Sequence, residues 1–221
     1  MRITEIKTYV LVADNADVSL TSSAQDTILV EIYTDDGIIG YGETDTNPWV
    51  AKALIDSPGT HTMDQSMKDI LIGKDPLDIS KRWEELYIGT AMTGRRGAGV
   101  NAIGAIDMAL WDIKGKLLNQ SVGSLLGGVQ RKYVVPYATG MYFTEKDNLT
   151  KDFEVEAKLY LEKGFKAIKM KVGLGISKDV SNVKHLRSII GYDIKLMIDS
   201  NHAYTYTEAL ELSKKLEKYE I

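Results

Sequence analysis

Apolar and polar positions alternate along the first part of this chain and then change period. Residues 2–12 alternate as a strand, residues 13–25 are small and polar and read as a loop, and Thr27 to Thr34 is a second, β-branched strand. Asp35-Asp36-Gly37 is a hairpin turn signal, and Ile38 to Glu43 is the returning strand. Thr44 to Pro58 reads as a second loop or a short helix that holds Pro48 and Trp49. The period then lengthens. Met63 to Ile72 and Ile79 to Met92 read as helices, split by Gly73-Lys74-Asp75-Pro76. Val100, Ile103, Ile106, Leu110, Ile113 and Leu117 recur every three or four residues, which predicts an amphipathic helix of about five turns. Ala102, Ala105 and Ala109 give that helix a small-residue side on which another element can pack closely. Gly127-Gly128 is the expected end of the helical region. The first ~130 residues are therefore an α+β layout of strands followed by helices.

From Arg131 onward strand and helix patterns take turns. Strands are expected at Tyr133–Ala138, Ala167–Val172 and Lys195–Ile198, and helices at Asp152–Lys163, Lys178–Ile190 and Thr207–Lys218. Gly164 and Gly191 close the first two helices. Three βα units in a row predict a parallel sheet, with the chemistry at the C-terminal ends of its strands. Lys169, Lys171, Asp199 and Asn201 fall at or just past such ends.

The second of those strands carries the clearest chemical pattern. Alternate side chains of a strand share a face, so Ala167, Lys169 and Lys171 point one way and Ile168, Met170 and Val172 the other. Two ammonium groups about 7 Å apart on one face need an anion or a carboxylate beside them. The strand that ends in Asp199 is positioned to supply it.

Composition removes several alternatives. The chain has 221 residues, 44% hydrophobic and 26% charged, with a formal net charge of -4, an ordinary balance for a globular protein. No basic patch points to nucleic acid. There is no cysteine, so any metal is held by oxygen or imidazole, and a reducing, cytoplasmic setting is expected. The opening residues MRITEIK are too charged for a signal peptide, and no apolar run reaches the ~18 residues of a membrane span, so no membrane partner is expected.

Three segments together resemble a known family: GFKAIKMKVG at 164–173, MIDSNHAY at 197–204, and AIDMALWDIKGK at 105–116 followed by LLGG at 125–128. They are similar to the mandelate racemase and muconate lactonizing enzymes of the enolase superfamily. The resemblance implies an α/β protein: an N-terminal α+β capping domain over 1–130, then the first three βα units of a modified TIM-type barrel over 131–221. It implies Mg²⁺ held by three carboxylates at successive strand ends, with Asp199 the first of them. It makes Lys169 and Lys171 the family's Lys-x-Lys pair, with Lys171 the usual base, and likens loops 13–25 and 44–58 to two cap loops that close over the substrate. There is one large departure. The family's other two metal ligands come from the fourth and fifth barrel strands, and this sequence stops where the fourth would begin. A full barrel takes ~250 residues, and about 90 follow Arg131. The expectation is a chain that belongs to a longer enzyme.

The implied reaction removes a proton α to a carboxylate, with the enediolate stabilised by Mg²⁺ and the proton taken by a lysine. Lys169 is expected to depress the pKa of Lys171 by like-charge repulsion. His202, three residues past Asp199, is a candidate acid for expelling hydroxide, with a packing or orienting role as the alternative. Asn201, Trp49 and Tyr142 are candidate substrate contacts. His61 and His185 read as surface residues, Gly94–Gly99 and Gly173–Gly175 as plain loops, and the charged run Glu208–Glu220 as the solvated face of a helix. The substrate expected is a small carboxylate, bound by a homo-oligomer. The polar loop at 13–25 suits a hydroxylated substrate, so a sugar-acid dehydratase leads. A racemase or epimerase, a lactone cycloisomerase, and a catalytically incomplete binding or assembly module stay open.

Overall fold

The fold is taken from a computed structural model that describes residues 1–18, 25–94, 96–143 and 149–221. Part of the polar loop at 13–25, Arg95 and the segment just after Phe143 lie outside the described residues. The chain divides between Gln130 and Arg131 into two compact units, each with its own hydrophobic core.

The first unit is an antiparallel sheet of β1 (Ile3–Val12), β2 (Asp26–Thr34) and β3 (Ile39–Thr44), in that order. Period-two alternation decides which face is covered: Ile28, Val30 and Ile32 of β2 are fully buried. Five helices follow. They are α1 (Pro48–Asp56), α2 (Met67–Leu71), α3 (Ile79–Gly89), α4 (Ala98–Leu118) and α5 (Val122–Leu125). The segment 44–58 resolves in favour of a helix, because Asn47 accepts the amide N–H of Val50 at 3.1 Å and Pro48 stands at the first helical position. The helix expected over 63–72 is only five residues long. His61 and Asp64 pair in a tight bridge, and Ser66 caps the helix that starts at Met67. The long helix covers the expected stretch and ends at Asn119, which takes the left-handed conformation (φ 51°); α5 then carries the helical region up to Leu126, just before Gly127-Gly128, its expected end.

Helix α4 lies directly on β3. Gly40 and Gly42 leave no gap: a Cβ on Gly42 would sit 1.8 Å from the carbonyl oxygen of Ala105, and one on Gly40 would sit 2.2 Å from that of Ala109. The alanine side of the helix is where the backbones meet, as its sequence implies. Gly42→Ala forces backbone apart and should lower stability by roughly 1–3 kcal/mol. Gly104→Ala, on the open side of the same helix with nothing within 4 Å, should raise it by roughly 0.5–1 kcal/mol through helix propensity. Urea midpoints at constant slope measure both, and equal shifts for the two variants would contradict the seam.

The second unit alternates β4 (Ala138–Gly140), α6 (Leu149–Glu162), β5 (Ala167–Lys171), α7 (Ile176–Ile190), β6 (Lys195–Asp199) and α8 (Tyr206–Leu216), with a short 3₁₀ turn over Glu217–Tyr219. The strands form one parallel sheet in the order β4-β5-β6. This is the α/β class expected: an antiparallel cap-type sheet with helices, then parallel βα units. The first strand is shorter than its alternation suggests. Residues 133–137 are irregular, and Tyr133 is 79% exposed. Pro136 has no N–H to give a ladder, and β4 pairs with β5 through three residues only. Ile168, Met170, Val172 and Leu196 pack against Phe153, Val183, Leu186, Leu212 and Leu216 of the helices. Arg187 of α7 is buried and donates to the carbonyl oxygens of Gly191, Ile194, Tyr219 and Glu220 at 2.7–2.9 Å. Among the described residues no helix is long and apolar enough to cross a membrane.

Candidate active site

The site grows out of the parallel register. Lys171 and Asp199 are cross-strand partners at the C-terminal ends of β5 and β6, so the pleat turns both side chains to the same face. Lys169 lies two residues back on that face and reaches forward along its four-carbon stem. Its Nζ is 2.8 Å from Asp199 Oδ2, and Lys171 Nζ donates to the same oxygen at 3.0 Å. The carboxylate that the lysine pair requires is therefore in place between them. This changes the like-charge picture drawn from the sequence. Repulsion between the two ammonium groups is offset by the shared anion, and the pKa of Lys169 is raised, chiefly by its hydrogen bond to Asp199.

Asp199 is held from two sides. Its Oδ1 accepts the backbone N–H of Asn201 at 2.8 Å, the Asx turn that an Asp-Ser-Asn sequence favours. Asn201 sits at φ 48°, a left-handed position that Asn tolerates better than most residues. That backbone turn aims its side chain back at the sheet, where Asn201 Oδ1 accepts from Lys171 Nζ at 2.7 Å. The carboxyl of Asp199 lies well below the ordinary range because Lys169, the Asn201 amide and Lys171 all bond to its ionised form. A carboxyl so held stabilises the fold at pH values above its unfolded pKa and loses that contribution as the pH falls below it. With about a fifth of the side chain exposed, solvent screens part of the effect.

Lys171 is 8% exposed, and its Nζ lies 5.5 Å from the centroid of the Tyr142 ring, within cation–π range. The structure thus draws together Lys169, Lys171, Asp199, Asn201 and Tyr142. His202 is exposed on the turn after β6. Trp49, 57% exposed, belongs to α1 of the first unit. His61 is exposed, and His185 faces Glu154 at 3.8 Å.

Asp199 is a hard oxygen donor of the kind Mg²⁺ takes, but a six-coordinate cation needs more than one. Among the described residues no group of three or more His, Cys, Asp or Glu is placed to hold a metal. The donor set fits in kind and falls short in number.

Two acids that the sequence reading passed over complete the surroundings. Glu156 of α6 accepts the amide of Met141 at 2.8 Å and the hydroxyl of Tyr160 at 2.5 Å, which secures the left-handed turn (φ 54°) just before Tyr142. Asp179 of α7 does the same for the loop after β5, accepting the amides of Gly173 and Leu174 and the hydroxyl of Tyr204. A signal for Asp179 was present: it is in phase with Val183, Leu186 and Ile190, the buried stripe of α7.

A βα sheet that presents a lysine pair and a carboxylate at adjacent strand ends defines an enzyme-like scaffold of the enolase type. The chain belongs to the mandelate racemase / muconate lactonizing enzyme family: that family's N-terminal domain model matches residues 6–127, and an enolase C-terminal domain-like model matches 152–221. It is 36% identical to arabinonate dehydratase of Saccharolobus solfataricus, the match covering 98% of this chain and 58% of that protein. It is likewise 36% identical to D-galactarolactone cycloisomerase of Agrobacterium fabrum, covering 97% of this chain and 56% of the relative. Among solved structures, 3,6-anhydro-D-galactonate cycloisomerase from Zobellia galactanivorans superposes with a TM-score of 0.83 at 41% identity, over 100% of this chain and 57% of its own. A racemase from Streptomyces coelicolor with bound magnesium superposes with a TM-score of 0.85 at 28% identity, over 99% and 60%. The chain thus spans less than two thirds of each of these proteins.

Proposed function

We propose that this chain is part of a Mg²⁺-dependent enzyme that removes the proton α to the carboxylate of a sugar acid and expels water. The observation that carries the reading is the buried ammonium of Lys171, fixed between Asp199 and Asn201 at two adjacent strand ends. The relatives support the substrate class, since dehydratases and cycloisomerases of sugar acids and their lactones stand among them. The lack of cysteine supports a cytoplasmic setting.

Asp199 is the residue of this chain that would hold the metal. Mg²⁺, when bound, supplies Lewis-acid stabilisation of the charge that develops on the substrate carboxylate. Lys171 must first give its resting proton to solvent; the neutral amine Nζ then takes the proton from C2, and the C–H electron pair passes to the carboxylate as an enediolate. The C3–O bond breaks as that electron pair forms the C2–C3 double bond, the hydroxyl leaves as water with a proton drawn from solvent, and the product is the enol of a 2-keto-3-deoxy acid. Lys169 and Asn201 keep Asp199 and Lys171 in register through that step. Tyr142 covers the ammonium on its ring side and excludes water there. No step is assigned to His202.

The test is incubation of the intact, Mg²⁺-supplied protein in deuterated water with a panel of aldonic and aldaric acids. A 2-keto-3-deoxy acid product that carries solvent deuterium at C3, the carbon protonated when its enol becomes the ketone, is the expected result. Deuterium without water loss would instead mark a racemase or epimerase. Isomerised lactone without water loss would mark a cycloisomerase, the reading that the Zobellia structure favours. No exchange with any acid would leave a binding module.

A further inference from the structure

We infer that Asp179 and Tyr204 are positioning residues: bonded to each other, they lock the loop after β5 to the loop after β6 and so set Lys171 against Asp199 and Asn201. The kinetic part of this inference rests on the function proposed above; the structural part does not.

Asp179 is 1% exposed. A carboxylate buried that deeply costs several kcal/mol unless donors surround it, and here the donors come from both loops. Gly173 N donates to Oδ2 at 2.8 Å and Leu174 N to Oδ1 at 3.2 Å, from the segment that begins two residues past Lys171. The hydroxyl of Tyr204, three residues past Asn201, donates to Oδ2 as well. The same hydroxyl accepts from Gly175 N at 3.0 Å. Three consecutive amides are thus fixed by one acid and one phenol. Burial, and next the charge-bearing bond to Asp179, push the Tyr204 pKa up to about 12, so the hydroxyl keeps the proton it donates.

The loops are in contact beneath this pair. A Cβ on Gly173 would lie 2.7 Å from the Cβ of Ala203, and Val172 N donates to Asp199 O at 3.1 Å. A shift of either loop therefore moves the other strand end. Neither Asp179 nor Tyr204 bonds to the lysines, to Asp199 or to the Asn201 side chain, so any effect on chemistry passes through backbone position. Such effects can be large, since a displacement near 1 Å can cost about 10²-fold in rate.

Tyr204→Phe tests this with the ring retained, and Asp179→Asn tests it with the shape retained. The first measurement is hydrogen–deuterium exchange of the intact protein, read on peptides spanning 172–176 and 199–203. Tyr204→Phe deletes no bond to Asn201, yet its amide should exchange about fivefold faster or more, the worth of one hydrogen bond. Peptides from β2 should be unchanged. Faster exchange confined to 172–176, or none at all, overturns the inference. The second measurement is kcat and KM for exchange of the substrate α-proton. The expected result is a kcat lowered about ten- to a hundredfold in both variants, with KM within about twofold. An unchanged kcat overturns the positioning role. If the unmodified protein exchanges no α-proton, the proposed function has failed, and the amide measurement alone decides this inference.

Discussion

Replacing Lys171 with alanine should lower kcat by about 10²–10⁴-fold, the usual contribution of a positioned proton-transfer group. KM should change far less, because the groups proposed to hold the substrate carboxylate are untouched. The structure makes the variant clean. Lys171 lies on the face opposite the apolar residues of β5, so its truncation removes no core contact, and Lys169 still pairs with Asp199 at 2.8 Å. Exchange of the α-proton with deuterated water isolates the step from later bond breaking. A Lys171→Ala protein that exchanges this proton at the unmodified rate would show that the base lies elsewhere.

The second large effect belongs to Asp199. Asp199→Ala should abolish turnover that depends on Mg²⁺: after chelation, added Mg²⁺ restores the unmodified protein and fails to restore the variant. Two consequences of the substitution have to be told apart. It removes the proposed metal ligand, and it also leaves two ammonium groups, one of them buried, without their shared anion. Circular dichroism and a urea midpoint separate them, since loss of the shared anion lowers stability whether or not Mg²⁺ is present; Asp199→Asn repeats the test with the side-chain shape and the Asn201 turn retained. Turnover that survives in Asp199→Asn at full Mg²⁺ dependence would end the assignment.

Much of this arrangement could be read from residues. The period-two pattern alone put Lys169 and Lys171 on one face and Ile168, Met170 and Val172 on the other, and the sheet has them so. The recurrence from Val100 to Leu117, with its alanines, gave both the long helix and its close-packing side. The failures came where long-range partners decide. Tyr133–Tyr137 has the alternation of a strand, yet a strand exists only where a neighbour pairs with it, and the ladder to β5 begins at Ala138. By residue type alone, Asp179 and Arg187 look like ordinary surface charges on a helix. The spacing within α7 puts Asp179 on the buried stripe, but the partners that burial gives both residues lie in loops 173–175, 191–194 and 219–220, which that spacing does not reveal.

The seam between α4 and β3 has a consequence in entropy. Gly40, Gly42, Ala105 and Ala109 have no side-chain rotamers to lose on burial, whereas a larger residue gives up roughly 0.5–2 kcal/mol of rotamer freedom when it is packed. Between these four residues the contact is therefore closed without that ordering cost, and its attraction comes from backbone atoms at van der Waals distance. Ile113, whose Cγ1 would lie 2.6 Å from a Cβ on Gly40, is a side chain at this seam that does have rotamers to lose, so the ordering cost there is confined to the Gly40 end.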